Sequence, residues 1–299
     1  MSDSPSPLPQ SVIVTRLRAV GCVFAEDEAR LLISAAPTSA ALAAMVDRRA
    51  AGLPLEHVLG WAEFCGLRIA VDPGVFVPRR RTEFLVRQAA ALIRQAARHA
   101  SPARHASPAV QAAAHDRPRA VVVDLCCGSG AVGVALAAAL ERAELHAVDI
   151  DPAAVACARC NVAGAGGQVY EGDLYEPLPA ALRGRVDILA ANVPYVPTGE
   201  IGLLPPEARV HEARVALDGG ADGLDVLRRV TAAAPLWLAP GGRLLFETSE
   251  RQAPQAVETV ARDGLIPRVA RSGELNATVI IGTRPARQSE PGEVRGVPA

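Results

Sequence analysis

Apolar residues fall in two rhythms along the chain. Ahead of residue 52 and again after Thr82 they recur at helical spacing. From Val121 onward, short β-branched runs alternate with Ala- and Leu-rich segments. The first rhythm predicts amphipathic helices and the second predicts strands separated by helices. A first short helix spans 11–20. Glu26 and Asp27 favour the first turn of a second helix carrying Leu31 and Leu32, and Thr38 N-caps a third with Leu42, Met45 and Val46 on one face and Gly52 at its end. Trp61 to Phe64 leads into an alternating strand at 67–71. Asp72-Pro73-Gly74 signals a turn, and 75–77 reads as the return strand of a hairpin. Thr82 caps a helix bearing Phe84, Leu85, Leu92 and Ile93.

The second half reads as strand and helix in turn: strands at 121–125, 144–150, 168–170, 186–190 and 243–246, and a closing pair near 266–270 and 277–282. Helices are predicted at 131–140, 152–163, 223–236 and 253–261, with a turn at Pro240-Gly241-Gly242. This rhythm gives an α/β fold with a mostly parallel sheet covered on both faces. The organisation that follows is a loose N-terminus (1–10), a helical unit (11–52), a hairpin with a connecting helix (53–95), a low-complexity linker (96–118), the α/β domain (119–283) and a tail (284–299). The linker's His99, His105 and His115 lack the spacing and partners of a metal site.

Composition narrows the classes. The net charge is −1 and aromatic residues make up 3% of the chain, which gives no global electrostatic reason to bind nucleic acid or an acidic membrane. All 31 basic residues are Arg, the mark of a GC-rich genome rather than of a function. The six cysteines show no secreted-domain spacing, and residues 1–20 hold no continuous apolar run of signal-peptide type. No stretch is long and apolar enough to span a membrane. A reducing cytoplasm is the expected location. Cys157 and Cys160 form a lone C-x-x-C inside a helix, with no second pair to complete a zinc site.

Chemistry gathers at predicted strand ends. Asp124 ends the first strand of the α/β domain and leads into Cys126-Cys127-Gly128-Ser129-Gly130, a tight loop running into a helix. Glycine there lets the backbone approach a ligand closely. Gly128 to Gly133 matches G-x-G-x-x-G, and Asp149 lies near the ribose-binding spacing of about 20 residues, which alone would equally suggest NAD. Asp173 follows the next strand, placed to accept from an adenine amino group. Asn192-Val193-Pro194-Tyr195 ends the fourth. Open α/β sheets bind ligands along this edge.

This set resembles a class I S-adenosylmethionine-dependent methyltransferase, whose fold is Rossmann-like with a seven-stranded, mostly parallel sheet. Asn192 to Tyr195 is close to N-P-P-Y, a motif of enzymes that methylate a planar –NH2 nitrogen. Three further segments narrow the resemblance: Gly60-Trp61-Ala62-Glu63-Phe64-Cys65-Gly66-Leu67, Val77-Pro78-Arg79-Arg80-Arg81-Thr82-Glu83 and Glu171-Gly172-Asp173-Leu174-Tyr175. They are similar to the G-x-x-E-F-x-G-L, I-P-R-P-E-T-E and G-D-L/W-F segments of the protein-(glutamine-N5) methyltransferase family (HemK/PrmC). The resemblance implies S-adenosylmethionine as cofactor, held by Asp124, Cys126 to Gly130, Asp149, Asp173, Leu174 and Asn192. It implies a catalytic set of Asn192, Val193, Pro194 and Tyr195, and a protein glutamine as acceptor, typically in the Gly-Gly-Gln loop of a release factor gripped by the helical unit. The chain departs from the family at Val193, at Arg80-Arg81 in place of Pro-Glu, and in a shorter helical unit. Two alternatives remain: N6-adenine methylation of DNA or RNA, and a cofactor-binding protein without turnover.

Overall fold

The computed structural model describes residues 8–99, 119–140 and 142–286. Helices α1 (Gln10–Ala19), α2 (Ala25–Ala35), α3 (Ser39–Ala50) and the short α4 (Leu55–Leu59) form the N-terminal unit. Its core is Ile13, Leu17, Leu32, Leu42, Val46 and Val58. The predicted N-cap is in place, with the Thr38 hydroxyl accepting from the Ala41 N–H at 3.1 Å. The unit runs past its predicted limit at residue 52, because Val58 on α4 completes the same core. Arg49 is buried here between Glu28 at 2.6 Å and Glu207 at 2.7 Å. It therefore ties the unit to the far side of the cleft described below.

The hairpin differs from the prediction. Strand β1 (Trp61–Phe64) pairs antiparallel with β2 (Leu67–Ala70), around a turn in which Cys65 and Gly66 have φ of 52° and 74°. Residues 75–77 are not a strand; among the described residues β2 pairs with β1 alone. Instead Val75 and Val77 pack with Ala62 and Val71. The next helix, α5 (Glu83–His99), begins after a 3-10 turn at Arg80–Thr82. Thr82 does not cap it; its hydroxyl donates to Glu247 at 2.6 Å. The helix continues to residue 99, into the predicted linker. The rest of that linker and most of the predicted N-terminal end and tail lie outside the described residues.

The α/β domain is a seven-stranded sheet in the order β5-β4-β3-β6-β7-β9-β8. Its strands are β3 (Ala120–Leu125), β4 (Ala143–Asp149), β5 (Gln168–Glu171), β6 (Val186–Ala191), β7 (Leu238–Thr248), β8 (Ile266–Ser272) and β9 (Ala277–Thr283). The first five are parallel; β9 runs antiparallel to both β7 and β8. The helices of this part are α6 (Ala131–Ala139), α7 (Pro152–Ala163), α8 (Pro206–His211), α9 (Asp225–Trp237) and α10 (Ala253–Arg262).

Alternation along the central strands supplies two apolar faces. Val123, Leu189 and Phe246 pack with Leu227, Val230 and Val260 of α9 and α10. Val122, Ile188 and Leu245 pack with Leu85, Leu136 and Val162 of α5, α6 and α7. The predicted turn at Pro240-Gly241-Gly242 lies inside β7. There the pairing with β6 jumps from Val186↔Leu238 to Ile188↔Arg243, and Gly241 has φ of 78°. The turn residues therefore serve as a bulge within the strand.

Candidate active site

The carboxyl ends of β3, β4, β6 and β7 open into a cleft of about 1000 Å³. Short loops bring the predicted residues together there. The loop after β3 is held by local backbone bonds: the Cys127 N–H donates to the Val148 carbonyl at 3.0 Å and the Gly130 N–H to the Cys127 carbonyl at 2.7 Å. Cys126, Gly128 and Gly130 have φ of 53°, 55° and 78°. Cys126 thus occupies a left-handed conformation that suits glycine. At Gly130 a Cβ would meet Val162 at 3.0 Å.

Asp149 ends β4 and lines the cleft. Its two oxygens accept from the Gly128 N–H at 2.8 Å and the Asp151 N–H at 3.0 Å. Each carboxylate oxygen keeps a further lone pair that can accept a hydrogen bond. Burial pushes its pKa up, against the lowering effect of those N–H donors. Asp124 is placed differently from the prediction. It is fully buried behind the loop, does not line the cleft, and accepts from the Gly133 N–H at 2.7 Å. Burial pushes its pKa up to about 8. A Cβ at Gly133 would lie 3.0 Å from that carboxylate, so Asp124 and Gly133 form one internal joint between strand and helix.

Asp173 and Leu174 line the same cleft, Leu174 with φ of 49°. The Asp173 carboxylate is engaged by Arg229 of α9 at 2.6 Å, a partner the sequence did not reveal. Cys126 and Cys127 have thiol pKa values raised by burial, which fits small packed side chains rather than reactive thiols. Cys157 donates to the Ala70 carbonyl at 3.2 Å while Cys160 is exposed. No cluster suited to a metal occurs among the described residues.

These residues fit S-adenosylmethionine. The loop backbone approaches the cleft through residues with positive φ, the buried Ser129 hydroxyl has no partner among the described residues, and a carboxylate stands at the end of the neighbouring strand. Asn161 of α7 steadies the loop, donating to the Ser129 carbonyl at 2.8 Å and to the Ala70 carbonyl at 2.9 Å.

Another part of the cleft is assembled from distant segments. Asn192 to Tyr195 continue from β6, and all four residues line the cleft. Neither the Asn192 side chain nor the Val193 carbonyl has an internal hydrogen-bond partner among the described residues. The Tyr195 carbonyl, by contrast, is taken by Gln252 Nε2 at 2.9 Å. The loop at 219–223 presses on this segment. A Cβ at Gly219 would lie 2.7 Å from the Pro194 carbonyl oxygen, and one at Gly223 would lie 2.3 Å from that of Tyr195.

Glu247, at the end of β7 and 3% exposed, accepts from the Tyr195 hydroxyl at 3.1 Å and pairs with Arg81 at 2.6 Å. Arg79 holds both oxygens of Glu212 at 2.6 Å. Sequence reading missed Glu247, Glu212, Gln252 and Arg229. A charged residue inside an otherwise apolar strand, Glu247 in Leu244-Leu245-Phe246-Glu247, was the one available signal.

The family described as the methyltransferase small domain matches residues 109–236. A release factor glutamine methyltransferase of Geobacter sulfurreducens is 39% identical over 227 residues, covering 75% of this chain and 71% of that protein. One from Mycolicibacterium smegmatis is 37% identical over 268 residues, 87% of this chain and 86% of its own length. A 4-amino-L-phenylalanine/4-methylamino-L-phenylalanine methyltransferase of Streptomyces pristinaespiralis is 34% identical over 207 residues, 69% of this chain and 66% of that protein.

Proposed function

Because the chain belongs to the release factor glutamine methyltransferase family, we propose that it methylates the side-chain amide nitrogen of a protein glutamine, the Gly-Gly-Gln glutamine of a peptide-chain release factor. Its cofactor is S-adenosylmethionine, which supplies an electrophilic methyl group when bound. Cys126 to Ser129 would hold the methionine part, and Asp149 the ribose hydroxyls.

The observation that carries the acceptor reading is the pair of free acceptors at the end of β6. An amide nitrogen delocalises its lone pair and is a poor nucleophile. The Asn192 side-chain oxygen and the Val193 carbonyl can each accept one N–H of the acceptor –NH2. Holding both hydrogens turns the lone pair toward the electrophile, and such orientation can supply several kcal/mol of barrier lowering, on the order of 7 at the least favourable end of well-oriented reactions. The Tyr195 ring would pack against the acceptor plane. Replacing the proline of N-P-P-Y by Val193 keeps the carbonyl acceptor, loses a fixed φ and gains an N–H.

The test is mass spectrometry of a Gly-Gly-Gln release factor incubated with the protein and labelled S-adenosylmethionine, beside an Asn192→Ala control. A gain of one methyl mass on the glutamine, absent in the control, supports the reading. The relative acting on 4-amino-L-phenylalanine favours one second arm, that free amino acid as acceptor, since its –NH2 is also conjugated to a π-system. Methyl transfer in that arm alone would replace the protein acceptor with a small aromatic amine.

A further inference from the structure

We propose that Arg81 is a positioning residue for the acceptor side, locking the Tyr195 ring through the buried Glu247 carboxylate; the inference rests on the –NH2-methylation reading above. Glu247 Oε1 takes Arg81 Nε at 2.6 Å and the Tyr195 hydroxyl at 3.1 Å. Its Oε2 takes the Thr82 hydroxyl at 2.6 Å. The Tyr195 hydroxyl in turn accepts from Arg81 Nη2, and the guanidinium carbon lies 5.9 Å from the ring centroid. The phenol therefore has one donor and one acceptor partner, both charged. Its far end cannot turn without breaking a charge-assisted bond, which is the stronger kind. Its near end is fixed as well, by Gln252 on the carbonyl and by the close approach of Gly223.

Arg81 is also what makes Glu247 tolerable. Arg79, the neighbouring cation on the same segment, is engaged with Glu212, so the charge opposite Glu247 is that of Arg81. A buried carboxylate stripped of its cation is strongly destabilising. Arg81 therefore supplies the charge that neutralises Glu247. The 3-10 turn that holds it sits at the cleft wall, with Arg79, Arg80 and Arg81 all lining the cavity. The side chain of Arg81 is 46% exposed, and it lines the same cleft as Tyr195.

The chain has three tyrosines, which gives a readout that needs no acceptor. Protein labelled with 3-fluorotyrosine shows three fluorine resonances, and Tyr195→Phe assigns the relevant one. Arg81→Ala is expected to move the Tyr195 resonance and leave those of Tyr170 and Tyr175. It is expected to cut kcat by roughly tenfold to a hundredfold with cofactor affinity held within about twofold, the size of a lost charged hydrogen bond. Arg81→Lys should restore part of kcat and shift the resonance back toward its original place. Arg87→Ala, which removes an exposed pair with Glu83, should change neither.

An unmoved Tyr195 resonance in Arg81→Ala overturns the proposal. So does a joint loss of cofactor affinity and displacement of all three resonances, which marks general loosening. Should the alanine variant not fold, Arg81→Gln keeps an N–H donor where Arg81 Nε meets Glu247, loses the Nη2 bond to the Tyr195 hydroxyl, and decides the same question. A wild-type protein that methylates no release factor would sink the acceptor assignment alone, because the fluorine measurement stands without it.

Discussion

The two halves of the cleft are built in opposite ways. The half proposed to hold the cofactor is local. Its loop runs from the end of β3 into α6, its partner Asp149 ends the adjacent strand, and their contacts are backbone N–H groups meeting one carboxylate. The half proposed to hold the acceptor is long-range. Tyr195 is held by Arg81, which precedes it by 114 residues, and by Gln252, 57 residues after it; Glu247 is reached by Thr82 across 165 residues. The local half depends on conformation, and damage to it should appear as lost cofactor affinity. The distant half depends on side-chain pairing, and damage there should appear in turnover.

The sharpest way to break this comparison is a reciprocal pair. Asn192→Ala should lower kcat by about a thousandfold, the upper range for removing one electrostatic positioning group, while calorimetry finds cofactor binding largely kept. Asp149→Ala should weaken cofactor binding by about tenfold to a hundredfold, the loss of charged hydrogen bonds to ribose. The division between halves fails if each variant impairs both quantities equally.

Next in size is Gly223→Ala. It places a Cβ 2.3 Å from the Tyr195 carbonyl oxygen at a φ of 78°. A destabilisation of about 2 kcal/mol or more is expected from strain and overpacking together, seen in urea unfolding and accompanied by a fall in kcat. Unchanged stability would mean that the loop does not press on the acceptor segment.

Asp124 sharpens the cofactor side. Its pKa, raised from 3.8 to about 8 in the folded protein, means that the folded state binds more protons than the unfolded chain between those values. Stability contributed by this group is present below pH 4, declines as pH rises through the window and is gone above about 8. Asp149, also raised, acts in the same direction. Asp124→Asn should flatten the decline in a series of denaturant melts between pH 4 and 8; an identical slope would assign it to other groups.

The smallest effect is expected at Cys126→Gly. Relief of a left-handed non-glycine residue is worth about 1 kcal/mol, which in a chain of this size raises Tm by about 2 °C. A fall in Tm would show that the packing of the thiol outweighs the strain.

The same contrast explains what could be read before the fold was known. Helix α7 was legible to its ends, because Pro152 sits in its first turn and the Asp151 carboxylate caps it. The loop at 126–130 and Asp149 were legible because a strand, a glycine turn and a helix lie in one short segment. The hairpin was half legible: the stretch 60–67 resembles the family's hairpin and β1 does pair with β2 across it, but the return strand read at 75–77 is not part of it. Strand β7 was read short, since a bulge and a turn use the same Pro-Gly-Gly chemistry. Asp124 was read as facing the ligand, yet the pleat turns it inward onto Gly133.

By itself, then, the sequence determined the βαβ order, the loop at 126–130 with Asp149 beside it, and the tetrapeptide that presents two free acceptors. Each is set by periodicity or by backbone preferences acting over a few residues. Only the tertiary structure decided that Arg81, Glu247 and Tyr195 form one unit, that Arg229 engages Asp173, and that Arg49 joins the helical unit to Glu207. Such pairings follow from where strands and helices end in space. A buried carboxylate takes whichever cation the fold delivers to it, and no local pattern records that choice.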